Sequence, residues 1–280
     1  KGALRIILKD NRVEVHYAIQ QKKFKPCGKK IIGVDKGYTE VLSDSEGNFY
    51  GEGFGKLLTD IIEQRCKKGK ARNKLHALAK KKKNLIAYNL GTKKLKRKEF
   101  RTKQVLTTKV YEAVHRVVDI AQEIRAEDLS ATFTNKKRGE KYNRRMSGWI
   151  KGVLAQALES VTKARGSRLR LVNGAYTSQM DSNTHRLEGR RVGDRFNHVN
   201  GDVSHADTNA AINIKHRGDD TDISLYTPYQ RVKSILLNRL IEDGEVSNDN
   251  CDRLSMTLVA RKKLLSTESE VPKNDVHNFA

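Results

Sequence analysis

The sequence is short of the features that mark secreted and membrane proteins. Its three cysteines, Cys27, Cys66 and Cys251, stand singly, so neither a disulfide framework nor a Cys-x-x-Cys metal knuckle is written into the chain. No apolar run approaches the ~20 residues needed to cross a bilayer, and no signal-peptide pattern opens the chain, which leaves a soluble, intracellular protein as the expectation. Apolar residues make up only 37%, low but sufficient for one large or two small domains in 280 residues. Acid is scarce as well: 33 Asp and Glu face 56 Lys and Arg, a formal charge of +23. Such an excess calls for a polyanionic partner, because each neutralised phosphate releases condensed counterions; nucleic acid leads, with anionic membrane behind it.

What is present is an ordered series of elements. The chain begins at Lys1 and runs straight into alternating text, ALRIILKDNRVEVHYAIQ, a hairpin about Asp10 and Asn11. So abrupt an opening leads us to expect sequence upstream of it. After a linker with Pro26, residues 30–35 form an apolar run ending in an acid, as a buried central strand would. EVLSDSEGNFYGEG reads as two antiparallel strands joined across Ser45 to Asn48, and three strands in a row open a ribonuclease-H-like sheet.

From Lys56 to Lys98 the text turns helical and basic, with Leu75, Leu78, Leu85 and Ile86 at roughly helical spacing, so a helical pair with a cationic face is expected. Its candidate phosphate contacts are Lys67, Lys68, Lys70, Arg72, Lys74, Lys80, Lys81, Lys82, Lys93, Lys94, Lys96 and Arg97. A separate helix is expected from Thr102 to Ile124, with Val110, Val114, Val117 and Ala121 on one face, leading to a short strand with Glu127. A second basic loop, NKKRGEKYNRR, adds Lys136, Lys137, Arg138, Arg144 and Arg145. Ile150, Val153, Leu154, Ala157, Leu158 and Val161 predict an amphipathic helix ended by Arg165-Gly166. RLRLVN supplies a strand, and an irregular polar segment from Gly174 to His205 precedes Asp207 at a helix start. The tail is acidic at Asp219, Asp220 and Asp222, then offers a helix after Pro228 with Val232, Ile235, Leu236 and Leu240 on one side, and ends in polar, loosely ordered text.

Three acids stand out: Asp35 in IIGVDKG, Glu127 in IRAEDLS and Asp207 in SHADTNAAINI. Two divalent cations about 3.5–4 Å apart can activate water and stabilise a leaving oxygen in phosphodiester cleavage. Such ions prefer hard carboxylate oxygens, with one acid on the central first strand and the others converging on it. Taken singly, each acid reads equally as a surface or capping residue, and Asp207 suits a helix N-cap.

Taken together, these contexts resemble the RuvC-like nuclease domain of type V CRISPR effectors and the related transposon-encoded TnpB proteins. Gly33-Val34-Asp35-Lys36-Gly37 matches that family's first motif, Glu127-Asp128-Leu129 its second, and Asp207 to Ile214 its third, D-x-N-A-A-x-N-I. In the third, small Ala210 and Ala211 let the helix lie close to the sheet while Asn209 can bond backbone near the site. The resemblance implies an α/β, ribonuclease-H-like (RuvC-like) mixed sheet flanked by helices over 30–217, with a basic helical insertion at 56–98 and a degenerate zinc-ribbon, target-nucleic-acid-binding segment at 174–205. It implies that 1–29 end an upstream β-rich, wedge or oligonucleotide-binding-like domain, and that 218–280 are a C-terminal helix and tail. It further implies a prokaryotic, cytoplasmic, guide-RNA-directed DNA endonuclease in which Asp35, Glu127 and Asp207 hold two Mg2+ ions.

The chain departs from the family in two places. The ribbon's introduction survives as Thr177-Ser178-Gln179-Met180, but Asp181, Thr184, His198 and Gly201 occupy the cysteine places, so no structural zinc is expected. Ala206 precedes Asp207 where TnpB proteins carry Arg, which looks like the CRISPR effectors. Two other readings stand beside the nuclease: an RNA-guided DNA-binding protein that does not cut, and a free-standing resolvase or ribonuclease-H-like enzyme without guide RNA.

Overall fold

The computed structural model describes residues 4–9, 12–17, 25–37, 39–81, 92–128 and 151–242. The chain divides into two units, 1–227 and 228–280. The second contains one described helix, Tyr229–Glu242, which starts directly after Pro228 as expected.

The first unit opens on an antiparallel hairpin of β1 (Leu4–Lys9) and β2 (Arg12–Tyr17). Its main feature is a five-stranded mixed sheet of β3 (Lys30–Lys36), β4 (Leu42–Asp44), β5 (Phe49–Tyr50), β6 (Ala121–Glu127) and β7 (Arg168–Val172). The spatial order is β5-β4-β3-β6-β7, with β3 at the centre. β4 and β5 run antiparallel, as short turns dictate; β6 and β7 run parallel to β3, each reached through a helix. The turn between β4 and β5 is organised by buried Asp44, which accepts from the backbone N–H groups of Glu46 and Asn48 and from the Tyr50 hydroxyl at 2.6 Å.

Alternation along a strand gives the sheet two distinct faces. Ile32 and Val34 of β3, with Ile124 and Ala126 of β6, are buried in one apolar core. That core also holds Val110, Val114 and Val117 of α2 (Lys93–Val118) and Leu154, Leu158 and Val161 of α3 (Lys151–Arg165). Gly33 therefore looks the other way, toward α4 (Ala206–Arg217). A Cβ on Gly33 would lie 2.1 Å from the Ala211 carbonyl oxygen and 2.6 Å from the Lys215 nitrogen, so the helix backbone rests directly on the strand. Ala210 and Ala211, both buried, complete that close approach from the helix side.

Two elements differ from the expected ones. No break separates a basic insertion from a following helix: α2 is continuous from Lys93 to Val118, because nothing between Lys98 and Thr102 stops a helix. It ends six residues before Ile124, which belongs to β6. Its partner, α1 (Phe54–Lys81), carries the other half of the lysine-rich text; Leu85, Ile86 and the joint lie outside the described residues. Nor is 174–205 irregular throughout. It contains a small antiparallel sheet of β8 (Arg190–Val192), β9 (Arg195–Asn197) and β10 (Val203–His205), closed over buried Phe196.

Replacing Gly33 with Ala forces helix and strand apart. Gly33→Ala is expected to lower stability by roughly 2–3 kcal/mol in urea unfolding, and an unchanged midpoint would contradict this packing.

Candidate functional site

Strand alternation continues past Gly33 and brings Asp35 to the same face, the one covered by α4. On β6 the register pairs Gly33 with Arg125 and Val34 with Ala126, so Glu127 comes level with Asp35 on that face. The two acids end adjacent parallel strands because β3 and β6 enter the sheet in register, although 92 positions separate them in sequence. Asp207 arrives from above, in the first turn of α4.

Each carboxylate has defined partners. Asp35 accepts from the Lys36 backbone N–H at 2.9 Å. Glu127 accepts from the Thr177 hydroxyl at 2.7 Å, and its backbone carbonyl accepts from the Lys36 ammonium. A Cβ on Gly174 would come within 2.6 Å of the Glu127 carboxyl, so a side chain there would push the carboxyl from its place. Asp207 is not the N-cap: His205 takes that place and accepts from the Asp207 backbone N–H. The Asp207 side chain is thereby directed elsewhere and pairs with the Arg191 guanidinium at 2.9 Å.

The third motif acts through its asparagines. Buried Asn209 donates to the Met180 carbonyl at 2.8 Å and accepts from the Ser182 N–H at 2.9 Å. One turn later, Asn213 donates to the carbonyls of Thr177 and Met180. Together they fix the Thr177–Ser182 turn against α4, and that turn presents the hydroxyl that orients Glu127. The other end of α4 is tied to β6 by buried Arg125, which makes a two-pronged ion pair with Asp219 at 2.6 and 2.7 Å and donates to the Lys215 carbonyl.

Electrostatically the three acids form one group. Burial, followed by the charges of Glu127 and Asp207, pushes the Asp35 carboxyl up to about 8. Burial also raises Glu127, against the opposing pull of the Thr177 hydroxyl and the cations of Lys36 and Arg217. The donor set, hard oxygens only, fits a divalent cation such as Mg2+. Among the described residues, however, no three His, Cys, Asp or Glu side chains stand grouped to hold a metal as they are; Thr177 and Arg191 engage two of the three acids. A cavity of about 170 Å3 lined by Thr39, Glu40, Phe49, Asp194 and His205 opens beside Asp207.

At the four ribbon positions, Asp181 and His198 form a buried hydrogen bond of 2.7 Å, and His198 reaches Ser204 at 2.7 Å on its other nitrogen. Asp181 also accepts from the backbone N–H groups of Asn183 and Val199, while Thr184 turns to Glu188 and Gly201 offers no side chain. Of the basic candidates, Lys67, Lys68, Lys70, Lys74, Lys80 and Lys81 of α1 and Lys93, Lys94, Lys96 and Arg97 of α2 are exposed, and Arg72 is half-buried. Lys82, Lys136, Lys137, Arg138, Arg144 and Arg145 lie outside the described residues. Sequence reasoning missed Lys36, Arg191 and Arg125, whose partners at the site, Glu127, Asp207 and Asp219, are remote in the chain. No described helix is long and apolar enough to cross a membrane.

The pH dependence follows from Asp35. A carboxyl raised in the folded state binds a proton that the unfolded chain has released, so between about pH 4 and pH 8 stability falls as pH rises. In EDTA, Asp35→Asn is expected to gain thermal stability over the parent across that window, with the difference levelling off above it. A difference independent of pH would contradict the placement of Asp35 among the other acids.

Comparison with known proteins gives a consistent picture over part of the chain. No curated protein matches it. Two solved structures are similar over most of it: a cryo-EM structure of a CRISPR-Cas12f ternary complex, at 15% identity and a TM-score of 0.44, and a cryo-EM structure of the Cas12f1–sgRNA–target DNA complex, at 14% and 0.43. They match 79% and 72% of this chain, which spans 45% and 41% of theirs, less than half of either. Residues 152–214, from α3 through the small sheet to the D-x-N-A-A-x-N-I helix, match the family described as "Cas12f1-like, TNB domain". That match relates the chain to the type V effector and TnpB-like proteins that its motifs resemble.

Proposed function

We propose that this chain is the nuclease portion of an RNA-guided DNA endonuclease of the type V effector kind, acting in CRISPR-associated antiviral defence in a prokaryotic cytoplasm. The observation that carries the reading is that Asp35 and Glu127 come level on adjacent strands under the first turn of α4, with Asp207 near enough for its charge to help raise Asp35. In this reading residues 30–217 form a ribonuclease-H-like, RuvC-like domain, supported by the central first strand and by the two parallel strands reached through helices. Within that domain 56–98 and 174–205 are insertions, while residues 1–29 belong to an upstream β-rich domain and 218–280 are a C-terminal helix and tail. Guide RNA and target DNA are the partners, in keeping with the +23 charge.

Asp35, Glu127 and Asp207 would hold two Mg2+ ions. Cations held there would supply activation of a water and charge stabilisation for the leaving oxygen. The chain's own residues prepare the site. Thr177 fixes the rotamer of Glu127, and Lys36 restrains the end of β6. Arg191 balances Asp207, and its guanidinium at the edge of the site would also suit a substrate phosphate. The 174–205 segment folds without structural zinc, its Asp181–His198 hydrogen bond closing the turn that a metal closes in a ribbon. One observation favours the reading of a guided DNA-binding protein that does not cut: two of the three carboxylates are already engaged by Arg191 and Thr177.

Cleavage of labelled single-stranded and duplex DNA by the full-length protein with its co-purified RNA distinguishes these readings. Magnesium-dependent cutting that disappears in Asp35→Ala is expected, together with a metal affinity lowered roughly 10–100-fold in Thr177→Val. Guide-dependent binding with no cut in either protein supports the non-cleaving reading, and cutting without any bound RNA supports a free-standing nuclease. Elemental analysis is expected to find no zinc; one zinc per chain contradicts the metal-free segment.

A further inference from the structure

Helices α1 and α2 enclose a cavity of about 440 Å3 between their exposed faces. Its lining is strongly unbalanced: Arg65, Lys68, Arg72 and Lys98 stand against one carboxylate, Glu99, which lies 4.0 Å from Arg65. Lys98 donates to the Gln64 side-chain oxygen at 2.8 Å and sits close enough to Lys68 that the second ammonium lowers its pKa. Two like charges are thus held side by side across the helical pair, an arrangement that costs free energy until an anion bridges them.

The floor of the cavity adds an independent sign. Gly69 lines it in the interior of the 28-residue α1, where glycine weakens a helix relative to alanine. Apart from its chain neighbours and its own helix backbone, no atom of the described residues would lie within 4 Å of a Cβ there, so neither packing nor backbone conformation demands the glycine. Its effect is to leave the helix backbone bare at the point where the lysines converge. Bare backbone beneath paired cations suits close approach of a phosphodiester. The Asn73 and Gln64 amides on the same wall can hydrogen-bond a 2′-hydroxyl, which RNA has and DNA lacks.

We propose that the α1–α2 cavity is a seat for the backbone of an RNA strand, with a phosphate bridging Lys68 and Lys98 over Gly69 and the neighbouring ribose read by Asn73. The inference rests on the RNA-binding part of the proposed function and does not involve the carboxylates.

The test is equilibrium binding in EDTA of labelled single-stranded RNA, and of DNA of the same sequence, to the chain and to three variants. Lys68→Gln with Lys98→Gln is expected to weaken RNA binding on the order of tenfold and to lower the salt slope by about one. Gly69→Leu fills the seat with a good helix former: it should raise the melting temperature yet weaken RNA binding several-fold, a pairing that structural damage cannot produce. Asn73→Ala should narrow the preference for RNA over DNA. RNA binding unchanged in the lysine and Gly69 variants overturns the seat while leaving magnesium-dependent cleavage, measured separately, to decide the nuclease reading. Equal losses for RNA and DNA overturn the assignment to RNA, and absence of RNA binding by the parent chain overturns both the seat and the guided function.

Discussion

The contact on which the rest of the structure depends is the backbone-to-backbone approach of α4 to β3 at Gly33 and Ala211. A helix lying over a sheet at the usual distance would leave side chains between the two layers. Here their absence lets the first turn of α4 descend to the strand ends, where the charge of Asp207 acts on Asp35. The same helix anchors the 174–205 segment through Asn209 and Asn213, and that segment returns Thr177 to Glu127 and Arg191 to Asp207. One close contact thus sets both the acids and the groups that orient them.

The site is assembled against an electrostatic cost. Three carboxylates on one half-buried face repel one another, and the chain offsets this only in part, with Lys36 at Glu127 and Arg191 at Asp207. A raised Asp35 is the residue of that imbalance. Structural ion-pair networks in the same molecule behave differently: Arg165, which binds Asp119 and the carbonyls of Lys25, Pro26 and His115, is fully partnered and holds the linker to the end of α2. The contrast between a fully paired cation and acids whose charge is only partly offset separates what stabilises this fold from what is left for a ligand.

Much of this was legible in the sequence, and the limits have physical causes. β3, the β4–β5 hairpin and α3 could be read because each has a single period and a clear stop; the small residues of the third motif announced the close helix. The continuity of α2 across Lys98–Thr102 was hidden because the change from basic to amphipathic text mimics a boundary without any helix breaker. The three-stranded sheet within 174–205 was missed because three-residue strands are too short for a period, and one buried side chain, Phe196, carries its core. Arg191 and Arg125 were invisible for another reason: their partners lie 16 and 94 residues away, and only the folded chain brings them together.

In the proposed function Asp35, Glu127 and Asp207 act as one cation site. Titration of Mn2+ into the chain, with the free ion counted by its paramagnetic resonance signal, tests this directly when repeated in Asp35→Asn, Glu127→Gln and Asp207→Asn. The account expects tight binding in the parent and loss of that same binding in every single variant. Retention of tight binding in any of the three, or its absence from the parent, would contradict it.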